Sequence, residues 1–182
     1  MGDLTTLADA KQWIGIVGSS DDAVIVDLIS AYSAYVQQWM NRKILLASYT
    51  DTFNGRGNIA QMLPNYPLTA VSAVSVDGVA IPARTTPTGT GYFFDEDSVI
   101  LSGYTFTRGR SNVSISYTAG YATVPLELAQ AVNELVGLRY NLRDKQGWSS
   151  KTLAGETVSL ITKDMPDSVK TILNNWKAVV PV

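Results

Sequence analysis

Apolar residues recur at steps of three and four in four segments of the chain, the spacing that places side chains on one face of a helix. The two long segments are residues 21–42 and 126–144, and the two shorter ones are residues 7–16 and 166–180. Ser20 and Asp21 stand at the start of the first long segment. Such residues satisfy free N–H groups and favour the positive end of the helix dipole. The sequence therefore predicts two long helices and a short helix near each end of the chain.

The period of the pattern changes to two from residue 43 onward, the alternation that is typical of half-buried strands. Two such stretches, residues 45–53 and 58–63, flank the turn Asn-Gly-Arg-Gly-Asn and predict a hairpin. Asp77 and Gly78 predict a second, tighter hairpin, because this dipeptide suits a two-residue turn between β-branched arms.

A long stretch of Thr, Pro and Gly follows at residues 82–98, and we predict that it forms an exposed loop. Residues 104–107 and 112–117 come next, and they are predicted to pair across the turn between them. Together with the helices, this pattern predicts the α+β class. We expect a mainly helical body of two long helices and two short terminal helices, with an antiparallel β-hairpin insert.

Residues 113–125 read VSISYTAGYATVP and lead from the last strand into the second long helix. Tyr117 lies on the apolar side of the alternation, and Gly120 permits a backbone turn that a residue with a Cβ resists. Tyr121 follows, and Pro125 presets the φ angle of a first helical residue, whose N–H has no partner in any case. Because the stretch lacks a nucleophile with a base, these four residues are predicted to form an architectural corner.

The chain becomes polar and loses its clear periodicity after residue 143. We therefore divide it into a body, residues 1–143, and a C-terminal arm, residues 144–182. The terminal helix of the arm places four apolar residues on one side: Val169, Ile172, Leu173 and Trp176. Two interpretations are open at this point, because the helix can dock on a partner or fold back on its own body.

Composition narrows the classes of function. Hydrophobic residues make up 46% of the 182 residues and charged residues 16%, against roughly 25% charged in an average globular protein. A surface that is short of charge suits a protein partly covered by partners. Cysteine and histidine are absent, which excludes disulfides, imidazole bases and metal sites built on these residues. No apolar run reaches about 18 residues, so we expect no membrane contact.

The sequence offers little that points to catalysis. Asp95, Glu96 and Asp97 are adjacent in one loop, where two carboxyl groups seldom hold the separation that glycoside hydrolysis needs. A Ser-Lys pair formed by Ser149 or Ser150 with Lys151 is formally available but lies in a polar segment where burial of the lysine is not expected. The patterns of nucleotide-binding loops are incomplete. We therefore expect no enzyme and no cofactor.

The charge balance also argues against tight binding of DNA. Fourteen Lys and Arg residues stand against 16 Asp and Glu residues, which gives a net charge of −2 and a pI near 5.0. Only the run Arg108 to Arg110 and the pair Arg139 and Arg143 concentrate positive charge. Because tight binding needs many phosphate contacts, sequence-specific recognition of DNA is not expected.

The order of elements resembles a known family. A helix with the sequence DDAVIVDLISAYSAYVQQWMNR, the segment LPNYPLTAVSAVSVDG, and the corner and helix VSISYTAGYATVPLELAQAVNELVGLRYNLR occur in that order. This order is similar to that of the head-to-tail connector proteins, also called adaptor or head-completion proteins, of tailed bacteriophages. The resemblance covers roughly residues 4–143 and is weakest in the C-terminal arm.

The resemblance implies a structural role in the virion neck, between capsid and tail, after assembly in the host cytoplasm. Copies would form a ring, usually twelvefold, below the portal protein and extend its channel. The ring would contact a downstream stopper or tail protein, and double-stranded DNA would pass through it without sequence-specific binding. The arm residues Val169, Ile172, Leu173 and Trp176 are the candidates for portal contact. Small residues that would let neighbouring subunits pack closely are Ala31, Ala34 and Gly137.

Three alternatives are kept. The chain could be another neck component, such as a stopper or tail-completion protein. It could be a ligand-binding or adhesin-like module that uses loop 82–98, or an enzyme with carboxylate chemistry at Asp95 to Asp97. Portal binding would favour the connector, whereas glycan binding or turnover would favour the other classes.

Overall fold

A computed structural model of the protein describes residues 2–143, 150–153, 156–159 and 165–178. The helices are α1 (Leu7–Ile14), α2 (Asp22–Trp39), α3 (Leu126–Leu142) and α4 (Asp167–Trp176). The strands are β1 (Ala47–Phe53), β2 (Ala60–Met62), β3 (Leu68–Val76), β4 (Val79–Ile81), β5 (Gly91–Phe94), β6 (Ser98–Ser102), β7 (Val113–Ala119), β8 (Ser150–Leu153) and β9 (Glu156–Ser159). The chain divides into a β unit, Lys43–Thr123, and a helical unit formed by the described residues before and after it.

The helical unit is organised around α3, which packs against each of the other three helices. Helix α1 begins where the Thr6 side chain accepts a hydrogen bond from the Asp9 N–H, and it ends at Gly15 in the left-handed conformation. Most of the residues buried between the helices are apolar: Ala10, Ile25, Ile29, Val36, Leu128, Ala131, Val132, Leu135 and Val136. Ser33, Gln37 and Asn133 are the buried polar residues of α2 and α3. Burial of these side chains is the main source of stability of this unit.

The β unit contains two antiparallel sheets. One has the strand order β1-β7-β3-β4 and the other has the order β2-β6-β5. Strand β7 is the centre of the larger sheet, and its residues alternate between buried and half-buried positions along its whole length. Its buried residues Val113, Ile115 and Tyr117 join apolar residues of the second sheet, such as Val99 and Leu101, in one core. The β unit thus has a hydrophobic core of its own.

The predicted fold class is wrong in its proportions. The molecule is not a mainly helical body with a hairpin insert, because the residues between α2 and α3 form seven strands in two sheets. The expectation failed because the strongest strand pairings join distant parts of the chain. Strand β1 pairs with β7 in a register that sets Phe53 opposite Val113. The periodicity of neighbouring segments gives no information about a pairing between strands so far apart in the chain.

Individual hairpin predictions had different outcomes. The Asp77-Gly78 hairpin is confirmed, since β3 pairs with β4 across these two residues and both have a positive φ. The hairpin across residues 54–58 is wrong, because β1 pairs with β7 and β2 pairs with β6. The stretch 104–107 forms no strand either, and only Phe106 makes an isolated bridge, to Asn58.

The C-terminal segment includes backbone that the structure describes and backbone that it does not. Strands β8 and β9 pair as an antiparallel hairpin, and α4 lies within the segment for which a terminal helix was predicted. The residues outside the described part are 144–149, 154–155, 160–164 and 179–182. Ser149 of the candidate Ser-Lys pair is among them. The division into a body and an arm at residue 143 stays a prediction. Among the described helices, none is long and apolar enough to cross a membrane.

Candidate interaction surfaces

The strand-to-helix corner is built around Gly120, which has a φ of 111°. A Cβ at this position would lie 2.6 Å from the carbonyl oxygen of Leu45 and 2.9 Å from that of Ile44. The Gly120 N–H donates to the carbonyl oxygen of Pro67 at 2.9 Å, and the Tyr121 N–H donates to that of Ile44 at 2.8 Å. Backbone hydrogen bonds therefore hold the corner against other segments of the β unit, and position 120 has room only for a glycine.

Tyr117 fixes the last part of β7 before this corner. Its ring is buried, and its hydroxyl donates to Asp51 Oδ2 at 2.6 Å and accepts from Asn65 Nδ2 at 3.0 Å. Burial raises the pKa of the Tyr117 hydroxyl, and the hydrogen bond to Asp51 raises it further. The Tyr49 ring packs on the Tyr117 ring with the centroids 5.5 Å apart. These contacts support a structural role for Tyr117.

Pro125 stands at the cap of α3 and not at its first helical position, which is Leu126. Its φ of −56° and ψ of 132° are those of a residue outside the helix, and its carbonyl oxygen accepts from the Leu128 and Ala129 N–H groups. The predicted helix start is thus off by one residue. The proline still sets the direction in which the chain enters the helix, because its ring restricts φ.

The terminal helix α4 folds back on the helical unit, the second of the two interpretations considered for it. Val169 and Leu173 are fully buried, whereas Ile172 and Trp176 are half-buried. The four candidates for portal contact therefore divide into two that pack inside the chain and two that reach the surface. As a portal interface, this set stays a prediction.

Polar contacts hold both ends of α4. Ser168 Oγ donates to Glu134 Oε1 at 2.6 Å, and Trp176 Nε1 donates to Glu127 Oε2 at 3.0 Å. Beyond the helix, the Ala178 N–H donates to the carbonyl oxygen of Met40 at 3.0 Å. Contacts at both ends fix the orientation of the helix, so that the outer faces of Ile172 and Trp176 have a defined position.

Helix α2 carries an exposed apolar stripe at a spacing of four, three and four residues: Val24, Leu28, Ala31 and Tyr35. Val24 is 47% exposed and Tyr35 39% exposed, while Leu28 is half-buried and Ala31 is exposed. This spacing is that of the seam along which two helices pack in a coiled coil. We call this set the α2 stripe. The helical unit leaves it open to solvent.

The predicted small residues have different surroundings. Ala31 lies in the α2 stripe, and Ala34 is half-buried on another side of the same helix. Gly137 is buried, and a Cβ there would lie 3.2 Å from Trp13 Cδ1 and 3.6 Å from Ile14 Cγ1. The close approach at Gly137 is thus made by α1 of the same chain, which accounts for the glycine without a neighbouring subunit.

The acidic run Asp95 to Asp97 forms the turn of the β5–β6 hairpin. The Asp95 N–H donates to the carbonyl oxygen of Ser98, and the carbonyl oxygens of Glu96 and Asp97 accept from the Leu68 and Leu63 N–H groups. The prediction that residues 82–98 form an exposed loop is wrong for residues 91–94, which form β5 and include the buried Gly91 and Tyr92. Within the described residues, no group of three acidic side chains is placed to hold a metal ion.

Two surfaces were not predicted from the sequence. The first is the α2 stripe, although the four-three-four spacing of its apolar residues is a local signal for a second face of this helix. The other surface joins Arg56 to Arg108 and Arg110, and no local signal could have brought these residues together because about 50 residues of chain separate them.

The chain was compared with known proteins. A family model described as "Head completion protein" matches residues 3–179, which confirms the resemblance drawn from the order of elements. No curated protein sequence gives a significant match.

Solved structures with the same fold include three chains from particles of one kind. A chain from the "Neck of empty GTA particle computed with C6 symmetry" superposes with a TM-score of 0.63 at 21% identity, with 98% of this chain and 92% of that chain covered. A chain from the "Neck of native GTA particle computed with C12 symmetry" gives 0.61 at 18% identity, covering 100% and 96%. A chain from the "Virion of native gene transfer agent (GTA) particle" gives 0.59 at 20%, also covering 100% and 96%. At these identities the likeness shows a shared fold.

Proposed function

The chain belongs to the head completion protein family, and on that premise we propose that it is a structural subunit of a ring in the neck of a phage or phage-like particle. The ring sits below the portal, between capsid and tail, and twelve copies extend the DNA channel. A downstream stopper or tail protein docks on its far side. The observation that carries the proposal is the family-model match over residues 3–179.

The fold supports this role. Chains of the same fold come from structures described as necks, one with C12 and one with C6 symmetry. A ring subunit needs two different surfaces that meet in a head-to-tail manner around the axis. The low charged fraction of 16% suits a chain with much of its surface in such contacts.

The α2 stripe is the surface that we assign to contact between neighbouring copies. Its Val24, Leu28, Ala31 and Tyr35 present apolar area at coiled-coil spacing, and Ala31 at its middle allows a close approach of backbones. Ala31 is therefore the best placed of the three small residues predicted for subunit packing. The space beside Gly137 is filled by Trp13 of the same chain.

Portal contact is assigned to the exposed side of α4. Val169 and Leu173 are needed inside the helical unit, so the outer faces of Ile172 and Trp176 are the parts of this set that a partner can reach. Deletion of the helix would open the core of the unit, and point substitutions are therefore the better test.

The proposal is tested by the mass of the purified protein, alone and mixed with the cognate portal, by light scattering with negative-stain images. We expect a ring, or a monomer that becomes a ring on the portal. Ala31→Glu should prevent ring formation, because it places a charge in the α2 stripe. Ala23→Glu makes the same change at an exposed position of α2 outside the stripe and should assemble normally.

The portal contact is tested with Ile172→Glu, for which Asn175→Glu on the exposed side of the same helix is the control. We expect Ile172→Glu to form the same oligomers alone as the wild type but to lose binding to the portal. A wild-type monomer that ignores the portal would contradict the ring proposal. A stopper or tail-completion protein would instead bind a preformed portal–adaptor complex and leave the bare portal unbound.

A further inference from the structure

Two loops of the β unit that are hydrogen-bonded to each other carry three arginines. Residues 54–58 lie in the link between β1 and β2, and residues 107–111 lie in the link between β6 and β7. The first loop contributes Arg56, and the second contributes Arg108 and Arg110. All three side chains are exposed. We call this set the arginine tip.

The two loops are held together by backbone hydrogen bonds. The Gly57 N–H donates to the carbonyl oxygen of Phe106 at 2.7 Å, and the Phe106 N–H donates to that of Asn58 at 2.8 Å. The Gly109 N–H donates to the carbonyl oxygen of Gly55 at 3.1 Å. Gly109, which pairs with Gly55, lies between Arg108 and Arg110 in the chain, and Gly55 is the neighbour of Arg56.

The Asn112 side chain holds the two loops together. Its Oδ1 accepts from the Gly55 N–H at 2.8 Å, and its Nδ2 donates to the carbonyl oxygen of Thr107 at 2.9 Å. On the other loop, Asn54 Oδ1 accepts from the Ser111 N–H at 2.7 Å. Loops fixed in this way lose little further backbone entropy when they bind, so the backbone that carries the three arginines is preorganised.

The glycines allow the two loops to pack closely against each other. Arg108 lies across Gly57, where an added Cβ would be 3.5 Å from Arg108 Cγ. Gly55 is buried, and a Cβ there would overlap the Thr107 carbonyl oxygen at 1.8 Å. The ten residues of the two loops contain no carboxylate and no apolar side chain, only Arg, Gly, Asn, Thr and Ser.

This composition favours one class of ligand. Protein partners are bound through an apolar centre. Residues 54–58 and 107–111 supply none, and Ile59, which follows the first of these stretches, is a single exposed apolar residue. Phosphate groups of nucleic acid are bound by Arg, by small polar side chains and by backbone N–H groups, which the loops supply. Among the described residues, no carboxylate forms an ion pair with any of the three arginines. The Asp77 carboxylate, which lies beside the second loop, accepts hydrogen bonds from Thr107 Oγ1 and Asn112 Nδ2 instead. Their charge is therefore available to an anion.

We propose that the arginine tip binds the phosphate backbone of double-stranded DNA without regard to sequence. In a chain of net charge −2 it provides a local positive site on an acidic subunit. The inference rests on the proposed function for the presence of DNA at the ring. There, copies of the tip would hold the DNA that the ring surrounds, while the acidic remainder repels it. Many weak contacts in one ring would add up through multivalency.

The test is binding of a fluorescent duplex of arbitrary sequence to the full chain, measured by anisotropy over a range of salt concentrations. Three phosphate contacts predict a loss of affinity of roughly 40-fold between about 50 and 200 mM salt. The variant Arg56→Ser/Arg108→Ser/Arg110→Ser should lose most of the binding at low salt and most of the salt dependence. Its fold should persist, because the loops are held by backbone, Asn and Thr groups, and circular dichroism checks this.

A control with the same net charge separates a site from general attraction. Arg139→Ser/Lys170→Ser/Lys177→Ser removes three positive charges from the helical unit and should leave DNA binding within about twofold of wild type. Equal losses in both triple variants, or no binding by the wild type, would overturn the proposal. So would a tip variant that still binds DNA but no longer joins a neck protein, which would make the tip a protein contact. Ring formation is measured on the same samples, so failure of the proposed function is seen independently.

Discussion

The hydroxyl of Tyr117 in the central strand β7 donates a 2.6 Å hydrogen bond to Asp51 Oδ2 on the neighbouring strand β1. The two residues are not opposite each other in the register, because Tyr117 pairs with Tyr49 and Asp51 pairs with Ile115. The contact is thus a diagonal one on the core side of the sheet. It links the side chains of two strands, β1 and β7, that are far apart in the sequence.

Removal of this hydroxyl should weaken the fold. We expect Tyr117→Phe to lower the free energy of unfolding by about 1 to 3 kcal/mol, since it leaves Asp51 and Asn65 without a hydrogen-bond partner in a half-buried place. Urea denaturation measures the change. Tyr104→Phe, which alters an exposed tyrosine of the same unit, should change stability little. Equal stability of Tyr117→Phe and wild type would show that the hydrogen bond does not contribute to the free energy of unfolding.

The same hydroxyl predicts a dependence of stability on alkaline pH. The pKa of Tyr117 is raised above its ordinary value of 10.0 in the folded protein, so the folded chain keeps a proton that the unfolded chain loses. Stability is therefore complete below about pH 10 and falls as the pH rises above it. Tyr117→Phe should show a shallower fall. Some fall should remain, because the pKa values of Tyr49 and Tyr140 are also raised.

Gly120 should tolerate no side chain. Gly120→Val adds atoms 2.6 Å from the Leu45 carbonyl oxygen and forces a β-branched residue to a φ of 111°. We expect the variant to be insoluble or to unfold at a much lower temperature. Gly18→Val is the control, since Gly18 has a similar φ of 104° and no atom within 4 Å of an added Cβ. That control should lose only about 1 to 3 kcal/mol to backbone strain. Equal melting temperatures for the two variants would contradict the steric argument.

Helix α4 should contribute to the stability of the isolated chain. Leu173→Ala removes a fully buried side chain and should cost about 2 to 5 kcal/mol. Ile172→Ala, one residue away and half-buried, should cost less than about 1.5 kcal/mol. Thermal or urea unfolding compares them. Two variants of equal stability would mean that α4 is detached in solution and acts as a free arm.

Gly137 tests whether its small size serves the chain or the ring. Gly137→Ala should stabilise the monomer by up to about 1 kcal/mol, because alanine favours the helix and Trp13, 51% exposed, can move by the few tenths of an ångström that the new Cβ needs. Gly137→Val should destabilise it, because its branched side chain meets both Trp13 and Ile14. A stable Gly137→Ala monomer that fails to form rings would instead place Gly137 at the subunit interface.

Some features of this protein follow from the sequence alone. The helices around Leu28 and Leu135, the turn at Asp77 and Gly78, and the corner at Gly120 depend on residues that are close together in the chain. Periodicity, turn chemistry and the freedom of glycine act over a few residues, so each can be read locally. The lack of cysteine and histidine likewise excluded whole classes of chemistry. The joint order of these local elements was enough to indicate the family.

Other features were decided by the tertiary structure. The partners of β1 and β2 are β7 and β6, because pairing depends on which distant strand buries the same face. The stretch between α2 and α3 thus became two sheets with a core of their own. The position of α4, and the meeting of Arg56 with Arg108, likewise depend on packing and on hydrogen bonds between loops that are remote in sequence. Local pattern carries no information about such long-range closure.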